Sequence, residues 1–154
     1  KSIHIPVDDV REMVVSGKLL PSGVWSDELA QQISLARTSV ARMALAFAGA
    51  GFGVVIDDFY DPNQRSDYRE LFSYAHFYKI VLYPAQTEAH RRNFERSGDS
   101  PARVYIDEGI QSVYQMLSAA ADNLARDGWV FLDTTHLSAA ETVTKILSLC
   151  PGPS

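Results

Sequence analysis

Three groups of residues have the types and spacing to do chemistry: Asp8-Asp9, Asp57-Asp58 and the run Asp133-Thr134-Thr135-His136. Each follows a short apolar run, so each closes what reads as a strand. Carboxylates gathered at one rim repel one another unless a cation or a proton sits among them. Magnesium is the natural occupant, because it takes one or two carboxylates and leaves its other positions to water and phosphate. A basic set complements the acids. Arg91, Arg92 and Arg96 stand within about a helical turn of one another, in a polar segment that continues through Gly98-Asp99-Ser100-Pro101 to Arg103. Such a segment could close as a lid, and arginines on a lid suit the charge that spreads over phosphoryl oxygens during transfer. These residue types point to phosphoryl transfer from a nucleotide to an alcohol.

Each group also has a plainer role open to it. Asp8 or Asp9 is suited to capping the helix that follows. The arginines on their own would make a solvated helix face. His136 reads as a loop residue, and His4, His76 and His90 lack the spacing of a metal site. Trp25 and Trp129 read as core anchors. A pair of carboxylates ending a buried strand is the hardest group to explain structurally, which favours a functional role for Asp57 and Asp58.

The elements that must position these groups alternate along the chain. Ile3 to Pro6, Val54 to Asp58, Lys79 to Pro84 and Trp129 to Asp133 read as buried parallel strands. A helix is expected over Asp27 to Ala48, where Leu29, Ile33, Ala36, Val40, Met43, Ala44 and Phe47 recur at helical steps. A second is expected over Asp107 to Arg126, and a third from Ser138, where Ser138 and Glu141 form a capping box and Val143, Ile146 and Leu147 supply a buried side. Shorter helices are expected at Val10 to Ser16, Ser66 to His76 and Thr87 to Ser97. The alternation predicts an α/β fold in three layers, with a mainly parallel four-stranded sheet flanked by helices. Ligands of such sheets bind beyond the carboxyl ends of the strands, where the acidic groups stand.

Bulk properties narrow the field. The 154 residues suffice for one domain, 1–154, with the lid segment around 87–106. The net charge of −5 offers no basic face for a nucleic acid, and the longest apolar runs fall far short of the ~20 residues of a membrane span. The lone Cys150 fits a reducing compartment, so we expect a cytoplasmic protein whose partners are small molecules.

Three stretches carry a family resemblance: Val7-Asp8-Asp9-Val10-Arg11-Glu12-Met13, then Gly51-Phe52-Gly53-Val54-Val55-Ile56-Asp57-Asp58, then Leu132-Asp133-Thr134-Thr135-His136. In this order they resemble the chloramphenicol phosphotransferase-like P-loop kinases and the related zeta-toxin-like and gluconate-kinase-like groups. The resemblance implies a P-loop NTPase-like fold, ATP and Mg2+ as cofactors, and transfer of the γ-phosphoryl group to a small-molecule alcohol. It implies that Asp8 is the general base on the acceptor hydroxyl and that Asp57 orients magnesium through water. Asp58 would face the acceptor, and Arg11 would contact it. Arg91, Arg92 and Arg96 would engage the ATP phosphates, with Arg92 taking part in catalysis. Thr134 would lie in the loop flanking the adenine.

One motif of that family is not in the sequence: no stretch matches G-x-x-x-x-G-K-[ST]. The resemblance therefore implies a parent protein in which about 25 to 35 residues of strand, loop and helix precede Lys1. A fold truncated in this way is expected to have little ATP turnover of its own, and the alternative is a non-catalytic remnant that binds a ligand or partner. A third possibility is a receiver-like domain with Asp57 as phosphoryl acceptor. The acceptor pocket is expected from Arg11 to Trp25 and from Phe59 to Arg69, with Trp25, Phe59, Tyr60 and Tyr68 as its aromatic candidates.

Overall fold

The strands form where the β-branched runs predict them, and each finds its partner within its own half of the chain. The structure, a computed structural model, describes residues 1–20, 25–100 and 102–150. Pro101 of the expected lid loop, 21–24 of the expected acceptor segment and 151–154 lie outside the described residues. The chain divides into two units, Lys1–Ala75 and His76–Ser154.

In the first unit, β1 (Ser2–Pro6) runs parallel to β2 (Gly53–Asp57), with Ile5 opposite Ile56 and Pro6 opposite Asp57. Between them lie α1 (Val7–Glu12) and the long α2 (Asp27–Gly49). Ser26 caps α2 by accepting the Leu29 amide at 3.1 Å, and Asp27 and Glu28 place negative charge at its positive end. Most of the expected apolar stripe is buried, with Leu29, Ile33 and Val40 1 % exposed or less, but Met43 is 38 % exposed and Phe47 only half-buried. Burial of such side chains contributes roughly 1.5–3 kcal/mol each. The helix ends at Gly49, and Gly51, at φ 80°, takes the left-handed conformation that turns the chain into β2.

Side chains alternate across a strand. Ile5 is buried and Ile3, Val54 and Ile56 are half-buried, while His4, Val55 and Asp57 are exposed. One face of this sheet is thus covered more than the other, whereas a three-layer fold covers both.

Two shorter helices depart from expectation. α1 begins at Val7, directly after Pro6, whose φ of −71° suits a helix entrance; neither Asp8 nor Asp9 caps it, and both lie within its first turn. It stops by Met13, and Met13 and Val15 are 70 % and 99 % exposed, so no burial carries the helix on to Ser16. The expected helix over Ser66 to His76 is replaced by a single turn, α3 (Gln64–Asp67). After it the Leu71 and Tyr74 amides donate to the carbonyls of Tyr68 and Leu71, three residues back.

In the second unit, β3 (Lys79–Leu82) runs parallel to β4 (Trp129–Leu132), and α4 (Gln86–Ser97) and α5 (Ala102–Arg126) lie between them in sequence. α5 starts five residues before the expected Asp107 and buries Leu117 and Leu124. α6 (Ala139–Leu149) carries the expected capping box at Ser138 and Glu141, yet none of its residues is buried, and Val143 and Leu147 are 55 % and 65 % exposed.

The described strands therefore form two two-stranded parallel sheets, in a mixed helix–strand architecture, instead of one sheet of four. No helix among the described residues is long and apolar enough to cross a membrane. Trp25 is 48 % exposed, which corrects its expected place in the core.

Candidate functional site

Asp8 and Asp57 come to the same end of the first unit's sheet. Asp57 ends β2 opposite Pro6, and Asp8 stands two residues beyond Pro6 on the first turn of α1. Both carboxylates face water, with side chains 75 % and 71 % exposed. His4 Nε2 lies 3.8 Å from Asp57, on the exposed face that both residues share.

Arg11 holds Asp8 from beneath. Its side chain is 10 % exposed; Nη1 donates to Asp8 Oδ1 at 3.0 Å, and Nη2 donates to the Leu19 carbonyl at 3.2 Å. Gln32 of α2 fixes the same loop, accepting from the Leu19 amide and donating to the Gly17 carbonyl. Arg11 thus positions Asp8 and offers little surface to an acceptor.

The two neighbouring aspartates part company: Asp57 is the last residue of β2 and Asp58 lies just past its end. Asp58 turns inward. Its carboxylate is 5 % exposed and accepts from Arg37 Nε at 2.7 Å, from Tyr68 Oη at 2.8 Å and from Gln64 Nε2 at 3.0 Å. Arg37 is fully buried. It also donates through Nη1 to Asp61 at 2.7 Å, stands 3.5 Å from Asp67 and lies 4.9 Å from the centre of the Phe59 ring. Ser34 of α2 donates to Asp67 at 2.6 Å. Burial and the adjacent Asp58 carboxylate push the Tyr68 phenol well above its ordinary range, so it stays a donor. A guanidinium suits this place because its donor fork serves several carboxylates at once.

Sequence reasoning passed over Arg37, although two signals were there. It falls among Leu29, Ile33, Val40 and Ala44 on the buried stripe of α2, and an unmatched charge there requires partners. Asp58, Asp61 and Asp67, close together downstream, supply them. Two of the expected acceptor aromatics, Tyr68 and Phe59, are engaged with this network.

In the second unit the lid arginines are largely paired. Glu88 accepts from Arg91 Nη2 and Arg92 Nε, both at 2.7 Å, and Arg91 also pairs with Glu95. These contacts hold the Glu88 carboxyl down at about 2. Arg92 Nη2 donates to the Thr134 carbonyl at 2.7 Å and to the Thr135 carbonyl at 3.3 Å, which ties α4 to the loop after β4. Arg96 is exposed.

The Thr134 side chain is buried at 3 % exposure, so what it offers this loop is its carbonyl. Thr135 Oγ1 accepts from the Ala85 amide at 2.7 Å and donates to Asp133, whose carboxyl is lowered chiefly by that hydroxyl. Tyr114 Oη donates to the Pro84 carbonyl at 2.5 Å and stacks on Tyr83 with centroids 5.0 Å apart. The carboxyl ends of β3 and β4 are therefore knitted together. Asn93 and His90 of α4 meet Asp107 of α5 at 2.9 and 2.8 Å, which joins the two helices of the lid segment.

For magnesium, the first unit offers Asp57 with Asp8 at the same edge. Among the described residues no group of three or more His, Cys, Asp or Glu is placed to hold a metal. This donor set fits an ion that takes one carboxylate and completes its shell with water and phosphate. For the phosphates of ATP these residues do not fit, since a phosphate-binding loop is not among them. A scan against protein-family models finds no match, and a comparison with curated proteins finds none either.

Proposed function

We propose that this chain carries the base-bearing and lid elements of an ATP- and magnesium-dependent phosphotransferase acting on an alcohol group of a small molecule. The observation that supports this reading is the placement of Asp8 and Asp57 at one carboxyl edge of a parallel strand pair, both open to solvent. Ligands of such sheets collect at that edge.

In this reading Asp8, steadied by Arg11, accepts the proton of the acceptor hydroxyl. A carboxylate serves because proton transfer comes late in a loose transition state, where positioning and charge stabilisation carry most of the rate. Asp57 would hold magnesium through water, and the ion would supply charge neutralisation at the transferring group. Asp58, bound to Arg37, fixes the turn after β2 and does not touch the acceptor. Within the second unit Arg91 is held by Glu88 and Glu95, and Arg96 is exposed. Arg92 fastens α4 to the Asp133–His136 loop.

The test is ATP consumption by the full-length gene product against small alcohols, sugars, and aminoglycoside-like and chloramphenicol-like acceptors. Turnover on one of them, falling about a hundredfold or more in D8N with the fold intact, is the expected result. No turnover together with no nucleotide binding would remove the reading and leave a non-catalytic binding domain.

A further inference from the structure

We propose that the outward face of the segment 62–72 is a binding groove for a small anion that carries an aromatic ring. The segment sorts its charges. Asp61, Asp67 and the preceding Asp58 turn inward onto Arg37, with side chains 8 % exposed or less. Arg65 and Arg69 turn outward and are exposed. The one outward acid, Glu70, stands 3.9 Å from Arg42 of α2.

Facing solvent, Pro62, Asn63, Arg65, Ser66, Arg69 and Phe72 line a shallow, open groove of about 620 Å3. Two arginines and no carboxylate are among its lining residues. The half-buried Phe72 gives it an apolar wall, and the Arg65 guanidinium lies 5.9 Å from the centre of that ring. Guanidinium forks match the oxygens of a carboxylate or phosphate, and an aromatic wall accepts a ring edge-on or offset.

The groove is also braced from behind. Gln64 and Tyr68, one helical turn apart on the inward side, both bond Asp58. A ligand therefore meets side chains mounted on a backbone that is already ordered, which lowers the entropy cost of binding. This inference stands on the groove alone and does not require phosphotransfer.

The test is amide chemical-shift mapping on the chain with phenyl phosphate as probe, and with phenol and inorganic phosphate as controls. Saturable changes confined to residues 62–72 are expected, with either control and the R65Q/R69Q variant about tenfold weaker or more. Should the double variant lose its dispersed spectrum, R69Q alone gives the comparison. Absence of saturable changes, changes centred elsewhere, inorganic phosphate binding as tightly as phenyl phosphate, or undiminished binding by the arginine variant would each overturn the proposal.

Discussion

Arg37 decides how the first unit is held together, because one buried guanidinium answers Asp58, Asp61 and Asp67. Truncating it leaves three carboxylates stranded away from water. R37A should therefore lose about 3–5 kcal/mol of stability, the cost of orphaning a buried charge. Urea unfolding measures this, and a loss below about 1 kcal/mol would mean the network is solvated in solution. The loss should appear without any change in the residues of the Asp8–Asp57 edge, since both carboxylates lie outside the network. Of the Asp57-Asp58 pair, the sequence showed two acids at a strand end but not which one faced outward. That depends on which face of the sheet α2 covers, and strand alternation cannot choose between the two faces by itself.

At the scale of elements, α4 is fastened to the loop after β4 by Arg92, and Glu88 holds that arginine in place. Its carboxyl sits at about 2, below the ordinary 4.5. A depressed carboxyl contributes fully above its unfolded value and loses that contribution as pH falls through its folded one. The fastening should thus hold at neutral pH and weaken as pH drops from 4.5 towards 2. A carboxyl NMR titration of Glu88 checks this, and a midpoint at the ordinary value would show that the pairs do not persist in solution. Element positions were largely legible, because short β-branched or aromatic runs marked all four strands and the Ser138–Glu141 box marked the start of α6. The short elements were not. Val10 to Ser16 and Ser66 to His76 have helical spacing, but the first begins earlier, at Val7, and the second breaks where Gln64, Asp67 and Tyr68 turn to the Arg37 network. Tertiary partners outweighed local propensity at the second.

At the scale of the molecule, each unit repeats one plan, a parallel strand pair whose carboxyl end carries polar groups. The rule that ligands gather at that end made Asp8 and Asp57 legible as neighbours before any coordinates, since it needs only strand direction. The expectation of one four-stranded sheet rested on the alternation alone, and no local pattern encodes which strands pair. The exposed side of α6 teaches the same lesson: an apolar stripe shows that a face is able to be buried, not that a partner lies against it.

The central claim is that Asp8 and Asp57 flank one divalent ion and its nucleotide. Paramagnetic broadening by Mn2+ with ATP, read on the amides of the full-length gene product, tests this most directly. The account predicts broadening centred on residues 55–58 and 7–9 that disappears in D57N. Broadening centred elsewhere, or unchanged in D57N, would contradict it.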